Sequence, residues 1–220
     1  MIQFYYADVE KLNQDNLFQM YYEQLSEYRR KKVDAFRFRK DKNLCLGAGI
    51  LLDSFLKQYD SSEREVGFAV SEYGKPYFET LSALQFSISH SGTIAAAAFS
   101  DQDIGCDVEK KGEMDLQVAK RFFCEDEIEM ILRQNSEEER RRLFFRYWTL
   151  KESFVKITGQ GLHLSLNSFC ILLNEKNISV RQEIDRKKYF FAEFDSIPDY
   201  SCSLCALEDC GEIRLQKIEL

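Results

Sequence analysis

The sequence predicts an α+β fold (mixed α/β) of two similar half-domains, each a helix packed on a mainly antiparallel sheet. Three observations carry this. Residues 1–105 read in the order helix, strand, turn, strand, strand, strand, as expected for a helix lying on a largely antiparallel sheet. Residues 106–220 repeat that order, although no residue-level repeat is visible. Pro76 and Pro198 are the only prolines and no Gly/Ser/Pro-rich linker divides the chain, so the two halves must pack tightly. The expected half-domains are therefore 1–105 and 106–220, and 45% hydrophobic residues in 220 are ample for their cores.

Ile2 to Val9 reads as a strand and Asp15 to Leu25 as a helix, with Leu17, Met20, Tyr21 and Leu25 on one side. Tyr28 to Tyr59 reads as one or two helices. Val33, Phe36, Leu44 and Ile50 to Leu56 form its core face, and the basic residues form the opposite one. Val66 to Val70 is a strand, and Tyr73-Gly74-Lys75-Pro76 is a turn. Phe86 to Ser91 alternates and breaks at Gly92; the small and apolar run Ile94 to Ser100 is a buried strand. The next strand holds Asp107. Leu116 to Phe123 is a loop and short helix, and Glu125 to Asn135 a helix. A longer helix starts at Ser136, with Glu139 in the capping-box position. Its stripe is Leu143, Tyr147, Leu150, Phe154 and Ile157, and Gly159 and Gly161 end it. Strands follow at Ser168 to Leu173, Ile178 to Val180, Tyr189 to Phe194, Tyr200 to Leu207 and Ile213 to Ile218.

A net charge of −7 argues against a general nucleic-acid binder. Tyr28 to Lys42 is nonetheless basic, through Arg29, Arg30, Lys31, Lys32, Arg37, Arg39, Lys40 and Lys42; it is either a local anion site or a solvated helix face. No apolar stretch is long enough to span a membrane, and the N-terminus lacks a signal-peptide layout. Seven cysteines, including Cys45, Cys106, Cys124 and Cys170 in apolar segments, are expected as reduced thiols of a cytoplasmic protein. Cys202, Cys205 and Cys210 cluster, but without nearby histidines they are read as strand residues rather than zinc ligands.

In the strand Ile104 to Glu109, side chains alternate, so Asp107 and Glu109 share a face while Cys106 and Val108 point into the sheet. Two carboxylates so placed can clip a hard divalent cation such as magnesium, which keeps its other positions for water and phosphates. Taken alone, Asp-x-Glu is more simply an ordinary charged strand end, since such ends are common. On the long helix, Glu152 and Lys156 share a face, with the chain's only Trp, Trp148, one turn earlier. A surface Glu–Lys pair would look the same, but a large aromatic is seldom left to open solvent.

Ile104-Gly105-Cys106-Asp107-Val108-Glu109, followed about forty residues later by Trp148-Thr149-Leu150-Lys151-Glu152-Ser153-Phe154-Val155-Lys156, resembles the two signature motifs of the 4′-phosphopantetheinyl transferases. Phe86-Ser87-Ile88-Ser89-His90-Ser91 and Gly74-Lys75-Pro76 are similar to that family's upstream motifs. The length, and four motifs in order, point to the larger single-chain, surfactin-type branch. The resemblance implies Mg-dependent transfer of the 4′-phosphopantetheine arm of coenzyme A to a serine of an apo carrier protein, releasing adenosine 3′,5′-bisphosphate. It implies an active site in the cleft between the half-domains, with the adenine and 3′-phosphate on the N-terminal side. It implies that Asp107, Glu109 and Glu152 bind magnesium, with Glu152 also the general base. Lys156 would meet a phosphate oxygen, and His90, after Ser89, would hydrogen-bond the pyrophosphate; Lys75 would lie beside the adenine and its phosphates. Arg29 and Lys32 are the implied 3′-phosphate ligands. Where family members commonly place an Arg after the position of Asp41, this chain reads Asn43-Leu44-Cys45, so Lys40 or Lys42 would substitute or the phosphate is held less firmly.

Met114 to Phe123 looks like the segment that docks an acyl, peptidyl or aryl carrier domain, through Leu116, Phe122 and Phe123 beside Lys120 and Arg121; Phe122 and Phe123 are as readily core residues. The expected partners include no nucleic acid and no membrane, and the expected state is a monomer. Two other readings compete: a metal-dependent phosphohydrolase acting on a nucleotide, and a non-catalytic nucleotide- or partner-binding module.

Overall fold

The structure, a computed structural model, describes residues 1–174, 177–207 and 212–220. It divides into two units: one is Met1–Ser71, Pro76–Gln102 and Gly211–Leu220, the other Glu72–Lys75 and Asp103–Cys210.

The first unit opens with strand β1 (Ile2–Asp8) and helices α1 (Asp15–Gln24), α2 (Glu27–Ala35) and α3 (Arg39–Leu56). A short hairpin, β2 (Phe68–Val70) and β3 (Pro76–Phe78), precedes β4 (Gln85–Ser91) and β5 (Ile94–Ser100). β5 is buried at every position, as its run of alanines requires: small side chains let α3 lie directly on the sheet. β1 and β4 flank β5 antiparallel. Phe55 of α3 stacks on Phe99 at 3.8 Å between ring centroids, and Tyr5 meets both rings edge-on. α3 is buried from Asn43 to Asp53, so it reads as a helix enclosed on all sides.

Two expectations fail here. Phe36 caps the end of α2 and is 39% exposed instead of joining the core face. Arg29, expected on the face opposite the core, is only 2% exposed. Its Nε donates to Glu63 Oε1 at 3.4 Å, and its stem lies close against Gly49 of α3, where a Cβ would stand 3.0 Å from Arg29 Cγ and collide with Leu25. The Glu63 carboxylate is what allows that charge to be buried.

The second unit contains β6 (Ile104–Lys110), α4 (Leu116–Phe122), α5 (Glu125–Leu132) and α6 (Glu137–Thr158), then β7 (Cys170–Leu173), β8 (Ile178–Arg181), β9 (Tyr189–Glu193) and β10 (Tyr200–Leu207). β6, β10 and β9 form an antiparallel sheet under α6, and β7 pairs with β8. The capping box at the start of α6 is formed reciprocally by Ser136 and Glu139, and Gly159 ends the helix in the left-handed region. Tyr147, Leu150, Phe154 and Ile157 are buried as the stripe predicts. The last strand, β11 (Ile213–Lys217), belongs to the first unit and pairs with β1 in parallel, the exception in an otherwise antiparallel arrangement among the described residues.

The thiol expectation is also corrected. Cys124 and Cys170 are joined in a disulfide, because the start of α5 and the start of β7 bring their Cα atoms to 5.7 Å, within bridging range. Cys45, Cys106, Cys202 and Cys205 are buried and take no part in that disulfide, the last two on β10; Cys210 lies outside the described residues. Among the described residues no helix is long and apolar enough to cross a membrane.

Candidate active site

The site in the second unit depends on how closely α6 approaches its sheet. Gly105 sits on β6 directly beneath α6, and a Cβ there would overlap the Ser153 carbonyl. On the neighbouring strand β10, where Ser203 and Ser201 pair with Asp107 and Glu109, Ser203 donates to Ser153 Oγ at 3.2 Å, and Ser201 Oγ lies 3.3 Å from Thr149 Oγ1. Glycine and hydroxyl side chains thus line the contact, where larger residues would hold the helix off.

Gly105, Asp107 and Glu109 alternate along β6, so all three face the helix. Asp107 is only 3% exposed, whereas Glu109 is half-buried; Cys106 and Val108 point the other way and are fully buried. With the helix held close, Lys156 reaches across to donate to Asp107 Oδ1 at 2.8 Å and to the Cys106 carbonyl at 3.0 Å. Glu152, one turn earlier, is half-buried in the same neighbourhood. Burial, then the Asp107 charge, push its pKa above the usual carboxylate range, with Glu109 adding to them and Lys156 opposing. Lys156 is held protonated by Asp107, although burial pulls the other way.

This donor set suits a hard cation. All three groups are carboxylates, and the charges of Asp107 and Glu109 both raise the proton affinity of Glu152. Among the described residues, however, no three His, Cys, Asp or Glu side chains stand assembled as a metal cage.

Lys75 belongs to the same unit. Its Nζ donates to the Ile104 carbonyl at 3.0 Å, at the start of β6, and burial lowers its pKa. Four further predicted site residues lie in the first unit. Ser89 is buried and His90 exposed, both on β4. Lys32 is exposed on α2, its ammonium 4.6 Å from the Tyr28 ring centroid, while Arg29 is buried against Glu63 as described.

In the segment expected to dock a partner, α4 exposes Lys120 and Arg121 and leaves Leu116 and Phe122 half-buried. Phe122 stands edge-on to Trp148 at 5.8 Å, and Phe123 turns into the core. Trp148 is accordingly packed among Phe122, Phe123 and Phe144 rather than left in solvent.

Three features escaped sequence reasoning. Lys151, inside the long-helix motif, is fully buried: its Nζ donates to Glu127 Oε1 at 2.7 Å and to the Phe169 carbonyl at 2.8 Å. Arg146 holds Glu193 bidentately at 2.7 to 2.9 Å. Gly105 provides the close approach. Nothing local in the sequence marks Glu127 and Glu193 as the ion-pair partners of Lys151 and Arg146, from which they lie 24 and 47 residues away.

A family model described as the 4′-phosphopantetheinyl transferase superfamily matches residues 103–205, the stretch that holds β6 and α6. The chain is 33% identical over 184 residues to 4′-phosphopantetheinyl transferase Sfp of Bacillus subtilis (strain 168), covering 83% of this chain and 82% of that one. It is 31% identical over 169 residues to 4′-phosphopantetheinyl transferase gsp of Aneurinibacillus migulanus, covering 76% and 70%. Among solved structures, holo-[acyl-carrier-protein] synthase of Thermotoga maritima superposes with a TM-score of 0.42 at 23% identity, over 48% of this chain and 62% of that one.

Proposed function

The chain belongs to the 4′-phosphopantetheinyl transferase family, among its Sfp-like members, and we propose that it transfers the 4′-phosphopantetheine arm of coenzyme A to a serine hydroxyl of an apo carrier protein, releasing adenosine 3′,5′-bisphosphate. The observation that carries the reading is Glu152 on α6, within electrostatic reach of Asp107 and Glu109 of β6, in the very segment the family model matches.

Phosphoryl transfer needs few covalent partners from the protein; it needs position and neutralised charge. Asp107, Glu109 and Glu152 would hold magnesium, which when bound supplies positive charge to the pyrophosphate oxygens and the leaving phosphate. Lys156 brings a second positive charge to the same point, presently shared with Asp107. Glu152 takes the proton from the serine oxygen, a role that suits a carboxylate of raised proton affinity. We assign Lys75, Ser89 and His90 to the nucleotide and its phosphates, with Lys32 on the 3′-phosphate and Arg29, buried on Glu63, bracing the helix that bears it. Leu116 and Phe122 beside Lys120 and Arg121 fit an acidic carrier with an apolar contact. The monomer and the cytoplasm are part of the same proposal.

The test is intact-mass spectrometry of an apo carrier protein incubated with the enzyme, coenzyme A and magnesium. The expected result is a gain of one phosphopantetheine that disappears with chelator and in Asp107→Ala. No gain with acyl, peptidyl or aryl carriers, while coenzyme A still binds, would sink the transferase reading and leave a binding module.

A further inference from the structure

Residues 159–163 follow the long helix and so far do no more than end it. His163 is one of the chain's two histidines, and its exposed ring lies 5.0 Å from the Tyr73 ring, centroid to centroid, at 57°. Gly161, two residues earlier, adopts φ +53°, and a Cβ there would stand 3.3 Å from the Tyr73 carbonyl oxygen, tighter than ordinary packing. A Cβ on Gly159 would come within 4.0 Å of Cδ of Lys75. The contacts therefore run in register: Gly161 and His163 on Tyr73, and Gly159 beneath the stem of Lys75. Between them Gly74 makes the turn at φ +85°. At the far end, Lys75 Nζ donates to Ile104 at the head of the strand that bears Asp107. A lysine on a flexible stem loses conformational freedom when it engages a ligand, and a backbone already clamped on both sides reduces that loss.

We propose that the turn Gly161–His163 and the ring of Tyr73 form a clasp that positions Lys75 for coenzyme A. His163 and Tyr73 are positioning residues and touch no substrate. This rests on the reading above, in which Lys75 meets the nucleotide and its phosphates.

The experiment compares the parent with His163→Ala, His163→Phe, Tyr73→Ala and the double variant Tyr73→Ala/His163→Ala. Coenzyme A affinity is measured by calorimetry, KM and kcat by carrier transfer, and backbone mobility by amide exchange at residues 73–75. An aromatic pair of this kind sets the scale: His163→Ala should weaken coenzyme A binding and raise its KM about three- to tenfold, with kcat near the parent value. Exchange at 73–75 should quicken. His163→Phe, which restores a ring, should recover both affinity and protection, and the double variant should be no worse than the poorer single one. Unchanged affinity in His163→Ala, or equal falls in kcat and stability that His163→Phe does not rescue, would overturn the clasp. If the parent binds coenzyme A but transfers nothing, the transferase reading fails while the calorimetry still decides the clasp; if it binds no coenzyme A, both fall.

Discussion

Burial and the charges of Asp107 and Glu109 oppose ionisation of Glu152, and Lys156 favours it. For an acid whose folded pKa is raised, the associated stability is fully present below the unfolded pKa and is lost as pH rises through the folded one. At neutral pH the ionised Glu152 therefore costs stability in metal-free protein, and a neutral isostere removes that cost. Glu152→Gln, in chelator, should melt about 2–4 °C above the parent at pH 7.5, and this gap should close toward pH 4. The same variant should lose about 10²- to 10⁴-fold in kcat if Glu152 is the general base. Thermal melts across pH, beside a transfer assay, check both; a variant no more stable than the parent at either pH contradicts the electrostatic account. The participants were legible in the sequence because both periodicities are local: two residues put Asp107 and Glu109 on one strand face, and four put Glu152 and Lys156 on one helix face. That Lys156 would spend its charge on Asp107 was not legible, since it depends on how far Gly105 and Ser203 let the helix descend.

The elements around α6 are tied together by the Lys151–Glu127 pair. Glu127 lies on α5 and Lys151 on α6; besides meeting Lys151, Glu127 accepts from Ile171 N of β7 at 2.6 Å and from Cys124 N at 3.0 Å. Burial pushes the Glu127 pKa up and the Lys151 pKa down, so each charge persists only through the other. Lys151→Met would strand a buried carboxylate and should destabilise the protein by about 3–5 kcal/mol in urea unfolding. Adding Glu127→Leu should recover much of that loss, since an apolar pair of similar volume is often tolerated in place of a buried ion pair. If the double variant is no more stable than the single one, the carboxylate is not the source of the cost. The helix stripe and the capping box at Ser136 were readable because a helix advertises its period and its start. The Lys151 pairing and the Cys124–Cys170 bridge were not: each joins elements whose proximity is decided by packing, and Lys151 stands in the sequence like any exposed motif lysine.

The first unit is completed by the far end of the chain. β11 pairs with β1 from Ile2↔Ile213 to Tyr6↔Lys217, and two further backbone bonds extend the seam, Ile2 N to Glu212 O at 3.2 Å and Ile218 N to Tyr6 O at 2.8 Å. Lys11 Nζ then holds the Leu220 carbonyl at 2.8 Å. The sequence announced a strand at Ile213 to Ile218, but a strand's partner is a non-local fact. Adjacency along the chain favoured pairing it within the second half, and the structure pairs it with the first strand instead. Removing residues 212–220 should therefore damage the N-terminal unit, not the one in which the chain has just been travelling. Each ladder bond contributes about 0.5–1.5 kcal/mol net, offset by the entropy of ordering the segment, so a loss of roughly 2–4 kcal/mol is expected. For a chain of this size that is about 4–16 °C in Tm. Amide exchange is the decisive measurement: protection should fall first along β1 and β5, while β6 and β10, which carry and back the carboxylates, keep theirs. Loss of protection concentrated in β6 and β10 would mean that the seam with β1 is not what the C-terminal segment secures. A bare β1 edge also presents unpaired N–H and C=O groups, so the truncated protein should associate at concentrations where the parent does not, which light scattering at matched concentration would report.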